Sequence, residues 1–492
     1  MNAIQKISAA ISFDIAAIPT DLYIGGKWRP ASTGKRADVV DPSTGVTIAS
    51  VADCTIDDAM EAVAAAHAAA ASWAATAPRK RSEILRRCFE LMIERKDMLA
   101  ELISLENGKA LNDAHGEVAY AAEFFRWFSE EAVRLNGDIY SAPSGANKII
   151  VQHQPIGIAV LVTPWNFPAA MATRKIAPAL AAGCTCVLKP ATETPLTAFA
   201  LAEIYAEAGV PDGVVNVITT SQAGPVVSAM LHDPRVRKLS FTGSTPVGRK
   251  LLHEAADTVI SCSMELGGNA PFIVFDDADL GAAIEGAMVA KMRNGGEACT
   301  AANRFYVQKG VVDEFSERLA ERMNAMTVGV GYDKATQCGP VINKTALDRI
   351  AGLVDDATGR GAKVLTGGKP LDQDGYYFPP TVLTDVTADA NITAAEIFGP
   401  IAAIMTFETE EEAIGVANDT EFGLISYVYT RDLSRGLRVS ERMESGMVGL
   451  NRGLVSDPAA PFGGTKQSGL GREGAHHGIL EFCETKYIAV TW

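Results

Sequence analysis

The sequence predicts an α/β fold built on parallel, doubly wound sheets, and three features of the chain support this prediction. From Ile149 onward, short apolar runs alternate with segments of helical periodicity, which is the pattern of repeated βαβ units. Runs such as residues 157–162 are apolar at every position, as expected of strands covered on both faces. Turns rich in glycine and proline follow several runs, where open parallel sheets bind ligands.

The individual elements follow from the same patterns. Turn residues at 25–28 and 41–45 separate β-branched runs and predict an opening hairpin. Helical periodicity then makes the first quarter of the chain mostly helical. The predicted helices cover residues 55–75, 78–95, 97–134, a stretch ending at 182, 194–208 and 312–326. The predicted strands cover residues 157–162, 185–188, 214–218, 237–241, 272–274, 363–365 and 401–407.

Length and composition are those of an ordinary globular protein. The 492 residues are enough for two or three domains, and 48% are apolar while 21% are charged. A net charge of -15 argues against nucleic acid as a partner, and no apolar run is long enough to cross a membrane. Residues 1–20 lack the features of a signal or transit peptide, so we expect a short accessory helix there.

The eight cysteines indicate a reduced, cytoplasmic protein. They show no Cys-x-x-Cys spacing and no histidines at zinc-finger distance, so the sequence predicts neither a disulfide framework nor a metal site. Cys184 and Cys186 lie in an apolar run and are expected to be core thiols.

Cys299 is the candidate nucleophile. It follows the glycine pair Gly295-Gly296, lies among small residues, and has Arg293 and Arg304 on either side. Small neighbours leave room for another molecule, and nearby positive charge favours the thiolate. Taken alone, the cysteine is better explained as a buried structural thiol.

Polar and glycine-rich turns after the predicted strands supply further candidates. The turn at 163–168 is bracketed by prolines, and the turn at 242–248 leads into a helix whose free N–H groups can face a phosphate. Its spacing departs from the usual dinucleotide fingerprint, so a purely structural turn explains it equally well. Glu265, before two glycines, either caps the next element or is a general base.

Together these stretches resemble the NAD(P)-dependent aldehyde dehydrogenase superfamily over nearly the whole chain. The matching motifs occur in the family's order at residues 164–168, 189–191, 241–244, 265–268, 295–299, 396–400 and 461–464. The resemblance implies a Rossmann-type cofactor domain at 1–137 and 155–265 and an α/β catalytic domain at 266–465. It also implies a small β oligomerisation element at 138–154 and 466–492, with a projecting hairpin near 138–154, in a homodimer or homotetramer. The strand-like tail at 487–492 needs a partner, which could come from another subunit.

The resemblance also implies roles for individual residues. Cys299 is expected to add to the aldehyde, Asn166 and the Cys299 N–H to hold the oxyanion, and Glu265 to activate water. For the cofactor, NADP or NAD, the residues implied are Trp165, Lys189, Thr192, Gly243, Ser244, Gly248, Leu266, Glu396 and Phe398.

Within the superfamily the motifs are most similar to those of succinate-semialdehyde dehydrogenases. In that group, residues matching Arg174, Arg293 and Ser456 clamp the far carboxylate of the substrate, and guanidinium groups suit this task because they bind carboxylates bidentately. The expected reaction is the oxidation of succinate semialdehyde to succinate. Two alternatives stay open: another aldehyde such as glutarate semialdehyde, with the arginines in structural ion pairs, and a catalytically silent protein.

Two departures from the family pattern carry predictions. Many relatives have Cys-x-Cys at the active site, but Cys299 is followed by Thr300 and Ala301, so a local disulfide switch is not expected. NAD-specific relatives usually carry a glutamate where this chain has Thr192, with Glu193 next to it. A neutral hydroxyl removes the repulsion of a 2′-phosphate, so the sequence predicts that NADP is accepted and possibly preferred.

Overall fold

The computed structural model describes residue 7 and residues 10–492, and two parallel sheets dominate it. The strands are β1 (Leu22–Ile24), β2 (Lys27–Arg29), β3 (Arg36–Asp41), β4 (Val46–Ala52), β5 (Asp138–Ser141), β6 (Lys148–Pro155), β7 (Ile158–Val162), β8 (Thr185–Lys189), β9 (Val215–Val217), β10 (Val236–Thr242), β11 (Ser261–Glu265), β12 (Ala270–Val274), β13 (Ala302–Gln308), β14 (Lys363–Thr366), β15 (Thr381–Thr384), β16 (Ile401–Phe407), β17 (Phe422–Gly423), β18 (Ile425–Tyr429), β19 (Met447–Leu450), β20 (Thr465–Lys466), β21 (Gly469–Leu470) and β22 (Cys483–Val490). The α-helices are α1 (Ile56–Ala74), α2 (Pro78–Glu94), α3 (Lys96–Asn107), α4 (Leu111–Glu131), α5 (Pro168–Ala182), α6 (Leu196–Glu207), α7 (Ala223–Leu231), α8 (Thr245–Ala256), α9 (Leu280–Met292), α10 (Val312–Asn324), α11 (Lys344–Gly359), α12 (Asn391–Ala394), α13 (Glu410–Asn418), α14 (Leu433–Arg442) and α15 (Ala475–Leu480). The predicted α/β fold class is confirmed.

The first sheet has the strand order β2-β1-β9-β8-β7-β10-β11-β21. Its five central strands are parallel, and the chain winds outward from β7 to β9 on one side and from β10 to β11 on the other. Every residue of β7 and β8 is buried, because helices cover both faces. The strand order reverses between β7 and β10, which is the place where such sheets bind ligands.

The second sheet has the order β14-β15-β16-β13-β12-β18-β19 and is parallel except for β14. Its two faces carry separate apolar cores. The largest core lies under the first sheet, where helices α2 to α6 pack their apolar faces. The two sheets therefore each have their own covering layers, and the division of the chain into cofactor and catalytic domains remains a prediction.

The N-terminal turn signals correspond to two hairpins rather than one. The hairpin β1–β2 extends the edge of the first sheet, and β3–β4 forms a separate two-stranded sheet. Helix α1 then begins with a capping box, in which the Thr55 hydroxyl accepts the Asp58 N–H and the Asp58 carboxylate accepts the Thr55 N–H.

The helical periodicity predicted over residues 97–134 corresponds to two helices. It contains α3 and α4, which are separated at Gly108, where φ is +91°. A Cβ at this position would lie 2.9 Å from Pro340 Cγ, so glycine is required both by the backbone and by the contact. The break turns residues 107–109 toward the centre of the molecule.

The chain tail pairs within its own subunit. Strand β22 runs antiparallel to β6 from Cys483 to Val490, and β6 pairs with β5 as the predicted hairpin. Not all of the segment 466–492 belongs to this small sheet, because β21 joins the edge of the first sheet and α15 packs near α5.

Among the described residues, no helix is long and apolar enough to cross a membrane. The accessory helix predicted within residues 1–20 falls partly outside the described residues, which omit 1–6, 8 and 9. A short 3-10 turn covers Ile15–Ala17.

Candidate active site

A cavity of about 340 Å³ opens at the carboxyl ends of β7 and β10, where the strand order of the first sheet reverses. It brings together eight of the predicted site residues, which come from both sheets. Its lining is Pro164, Trp165, Asn166, Met171, Thr242, Gly243, Ser244, Leu266, Gly267, Cys299, Arg349, Glu396 and Phe398.

One wall of the cavity has the features of a dinucleotide site. Ser244 is the N-cap of α8, and its side chain makes no capping hydrogen bond, so the first N–H groups of the helix remain available to an anion. A Cβ at Gly248 would lie 2.3 Å from the Leu266 side chain, so glycine lets the helix pack closely against the next strand. This arrangement fits a pyrophosphate at the helix terminus.

Another part of the cavity lining is aromatic and acidic. The rings of Trp165 and Phe398 meet edge to face, with centroids 5.3 Å apart. Glu396 accepts a hydrogen bond from the Gly268 N–H at 3.1 Å, and burial raises the pKa of this carboxyl to about 7. Two flat apolar rings beside a carboxylate fit a nicotinamide riboside, whose ribose hydroxyls can donate to the acid.

Lys189 and Thr192 lie outside the cavity lining. Lys189 ends β8 and is buried, and burial lowers its pKa while the charge of Glu193 opposes that shift. The Thr192 hydroxyl donates to the Thr220 carbonyl at 3.2 Å, which holds it at the C-terminal edge of the sheet.

Cys299 follows a left-handed turn. Asn294, Gly295 and Gly296 have φ values of 55°, 58° and 78°, and a Cβ at Gly296 would lie 2.2 Å from the Gly399 carbonyl oxygen. The glycine pair is therefore required for a fixed turn rather than for flexibility. Asn294, a non-glycine residue in this region, is held by a hydrogen bond from its N–H to Asp113 at 3.0 Å.

The thiol of Cys299 is half-buried and lines the cavity. Burial raises its pKa to about 12, although the positive charges of Arg174 and Arg293 oppose this shift. The cysteine is therefore a neutral thiol at neutral pH in this state, and it needs a base or a bound ligand's charge to become a nucleophile.

Asn166 lines the same cavity as this thiol, and the charge of Glu265 acts on the thiol's pKa. The Asn166 amide donates one hydrogen bond to the Glu297 carbonyl at 3.0 Å, which leaves its second N–H for a group in the cavity. Glu265 ends β11, and both of its carboxyl oxygens are buried without a hydrogen-bond partner among the described residues. Burial, together with the nearby charge of Glu473, raises the pKa of Glu265 well above its usual range.

Comparison with known proteins agrees with this geometry. The model of the aldehyde dehydrogenase family matches residues 28–488. The chain belongs to this family. It is an NAD(P)-dependent enzyme, and its residues fit the dinucleotide as described.

The comparisons include relatives with two named substrates. The chain is 56% identical to the succinate-semialdehyde dehydrogenase of Paenarthrobacter nicotinovorans, over 90% of this chain and 98% of that protein. It is 50% identical to the glutarate-semialdehyde dehydrogenase of Pseudomonas putida, over 95% of this chain and 97% of that protein. A crystal structure of an NADP-dependent enzyme from E. coli superimposes with a TM-score of 0.96 at 48% identity, covering 97% of this chain and 99% of that chain.

The enzyme places Arg293 and Ser456 side by side. The Arg293 guanidinium lies 3.5 Å from the Ser456 hydroxyl and 4.9 Å from the centre of the Phe167 ring. Arg293 makes no ion pair with any described residue, so its charge is available to a ligand.

Arg174 is in a different situation. Its Nε bonds Glu473, its guanidinium stacks 4.2 Å over Phe462, and only its Nη2 lacks a partner among the described residues. Lys175 donates to the other oxygen of Glu473 at 2.5 Å and to the Ser240 hydroxyl at 3.1 Å. Burial acts to raise the pKa of Glu473, but the two cations outweigh it and hold that pKa below its usual range.

Sequence reasoning missed several residues of the site. Met171 and Arg349 line the cavity, and Glu473 binds Arg174 from the C-terminal segment. Glu473 belongs to no strand or motif that the sequence predicts. Its place in the site is visible only from its contact with Lys175, 298 residues away along the chain.

Proposed function

We propose that the enzyme oxidises succinate semialdehyde to succinate through covalent intermediates on Cys299. The observation that carries the proposal is Arg293, a guanidinium with no ion-pair partner among the described residues. It lies six residues before Cys299 and beside Ser456. A half-buried, unpaired guanidinium beside a hydroxyl is suited to a carboxylate at the far end of a short substrate.

The reaction begins when the Cys299 thiol loses its proton to solvent and the sulfur attacks the aldehyde carbon, which gives a thiohemiacetal oxyanion. The second N–H of the Asn166 amide and the Cys299 N–H donate to that oxygen. When bound, NAD(P)+ supplies the hydride acceptor for the same carbon. Loss of hydride leaves a thioester on Cys299.

Hydrolysis of the thioester requires a base for water. Glu265 is the candidate, and its raised pKa makes it a strong base once it is deprotonated. The Gly463 backbone packs close to its carboxyl, and a Cβ there would lie 3.0 Å from Oε1, so glycine leaves the acid room to turn. Water attack returns Cys299 to the thiol and releases the acid.

NADP is the cofactor that Thr192 favours. A neutral hydroxyl at this position does not repel a 2′-phosphate, and Lys189 nearby supplies positive charge. Comparing initial rates with NAD and with NADP tests this preference; strict dependence on NAD would show that Glu193 turns inward and takes the ribose hydroxyls.

Glutarate semialdehyde is the second candidate substrate, because a relative of that name is 50% identical over nearly the whole chain. It differs from succinate semialdehyde by one methylene, a difference that a pocket discriminates by only about 10- to 200-fold. The decisive experiment compares kcat/KM for succinate semialdehyde, glutarate semialdehyde, and the uncharged aldehydes butanal and pentanal. The four-carbon carboxylate should give the highest value, whereas equal values for charged and uncharged aldehydes would refute a carboxylate site.

The small sheet of β5, β6 and β22 is the proposed oligomerisation element for a homodimer or homotetramer. It carries exposed apolar side chains, with Ile139 70% and Tyr487 58% exposed. Sedimentation of the wild type and of Tyr487→Glu tests the assignment, since the charge should weaken assembly if this face is an interface.

A further inference from the structure

An ion pair sealed from solvent lies behind the catalytic loop. Lys109 follows the break at Gly108, and Glu117 lies on α4. Lys109 Nζ is 2.5 Å from Glu117 Oε2, and the two side chains are 1% and 0% exposed. Neither residue lines the cavity, and neither has a part in the chemistry described above.

Both partners bind the backbone that carries Asn166. Lys109 Nζ donates to the Asn166 carbonyl oxygen at 2.7 Å. Glu117 Oε1 accepts the N–H groups of Ala169 and Ala170, at 2.8 and 3.2 Å, in the first turn of α5. One ion pair therefore holds the backbone on both sides of Phe167.

The same carbonyl oxygen is held from the side of the cysteine loop. Asn294 donates its side-chain amide to the Asn166 carbonyl at 2.9 Å and to the Glu297 carbonyl at 2.9 Å. The Asn166 amide donates to that same Glu297 carbonyl, two residues before Cys299. The position of Asn166 relative to the nucleophile thus depends on donors from two separate segments.

Charge makes this attachment stronger than a neutral one. A charge-assisted hydrogen bond is about twice as strong as a bond between neutral groups. Burial lowers the pKa of Lys109, and the charge of Glu117 offsets that effect. The N-terminus of α5 also stabilises the carboxylate of Glu117.

We propose that Lys109 and Glu117 are positioning residues, which hold the amide of Asn166 at the point where the oxyanion forms. The proposal rests on the proposed role of Asn166. An oxyanion donor is effective only when it is fixed before the charge develops. A displacement of this donor of about 1 Å is enough to lower the rate roughly 100-fold.

A double-mutant cycle on kcat/KM for succinate semialdehyde tests the proposal. Asn166→Ala should lower kcat/KM roughly 100- to 1000-fold, as loss of an oxyanion donor does. Lys109→Met should lower it roughly 10- to 100-fold in the wild type but less than about threefold in the Asn166→Ala background, because the donor it positions is gone. If Lys109→Met does not fold, Glu117→Gln replaces it, since the amide oxygen still accepts the α5 N–H groups.

The matched control is Lys238→Met. Lys238 is equally buried, pairs with Glu481 at 3.2 Å and donates to the Ser263 hydroxyl at 2.6 Å, and it makes no hydrogen bond to the Asn166 backbone. Its effect on kcat/KM should be the same in both backgrounds.

Three results would overturn the proposal. If the Lys109 or Glu117 variant lowers kcat/KM by the same factor with and without Asn166→Ala, the residue has a general structural role. No loss of rate in either positioning variant would mean that neither residue is needed to hold Asn166. A negligible effect of Asn166→Ala on kcat/KM would show that Asn166 does not hold the oxyanion, and the positioning role would then be lost with it. The single variant Asn166→Ala identifies this outcome.

Discussion

Arg174 and Arg293 both approach Cys299, yet the protein treats their charges differently. Arg174 is 2% exposed and shares Glu473 with Lys175, so its guanidinium is already paired with a carboxylate of the protein. Arg293 is only partly buried and has a hydroxyl and an aromatic ring beside it. A guanidinium that already has a carboxylate is a weak receptor for a second one, because adding an anion to the pair brings like charges together.

The comparison therefore assigns different roles to two arginines that the motifs alone place together in a carboxylate clamp. Arg293 has the charge available for a substrate carboxylate. Arg174 can offer only its Nη2, and its main contacts join α5 to the C-terminal segment. The following predictions test whether the two arginines differ in this way, beginning with the largest expected effect.

Removing the Glu473 carboxylate, which pairs with Arg174 and Lys175, should cause the largest loss of stability. In Glu473→Gln, two buried cations lose their counter-charge, and we expect the free energy of unfolding to fall by about 3–5 kcal/mol. Denaturant unfolding measures this change. The control is Asp348→Asn, whose partner Lys344 is 69% exposed, and which should lose less than about 1 kcal/mol. Equal losses in the two variants would show that the Glu473 pair is not structural.

Replacing each arginine by glutamine should separate binding from structure. Arg293→Gln should lower kcat/KM for succinate semialdehyde about 10- to 100-fold, which corresponds to the loss of one charge-assisted hydrogen bond. The same variant should leave kcat/KM for butanal nearly unchanged. Arg174→Gln should lower kcat/KM for both aldehydes by similar factors, because it disturbs groups next to Glu265 and Cys299. The ratio of the two kcat/KM values is the measurement, and a selective loss in Arg174→Gln would reverse the assignment.

The pH dependence of Cys299 should reflect the opposing effects of burial and positive charge. Because its pKa is raised to about 12, the thiolate fraction below that pKa grows about tenfold for each pH unit. Alkylation of Cys299 by iodoacetamide, followed by mass spectrometry of its peptide, should therefore accelerate about tenfold per unit above neutral pH. Removing the charge of Arg293 should slow labelling at every pH, since that charge favours the thiolate. A plateau near neutral pH in the wild type would mean that the thiol is already ionised.

Ser456→Ala should have the smallest effect. One hydroxyl contact to an anion contributes about 0.5–1.5 kcal/mol, so KM for succinate semialdehyde should rise about 2- to 10-fold with kcat unchanged. A matched decrease in kcat would place Ser456 in the chemistry rather than in binding.

The sequence was sufficient for the parts of the site that local motifs specify. Asn166, Ser244 and Cys299 each belong to a short stretch next to a strand or helix end, and the cavity contains all three. The positions of β7, β8, β9 and β10 were likewise predictable within a residue or two, because continuous apolar runs mark strands covered on both faces, whereas β11 was not predicted.

The ion pairs could not be predicted in this way. Lys175 and Glu473 are 298 residues apart, and charged residues next to helices usually lie in solvent. The break at Gly108 was missed because helical periodicity continues on both sides, whereas the contact with Pro340 that requires glycine exists only after folding. The pairing of the tail strand with β6 could not be predicted either, because its partner is specified by tertiary structure alone.

The distance along the chain between Lys175 and Glu473 has a consequence for synthesis. Ribosomes add about 5–20 residues per second, so those 298 residues take roughly 15–60 seconds to appear. During that interval the nascent chain carries Arg174 and Lys175 without the acid that completes their group. Dehydrogenase activity should therefore be absent from ribosome-bound chains stalled before residue 473 and present in released chains, so that oxidation of a reactive aldehyde begins only when translation is nearly finished.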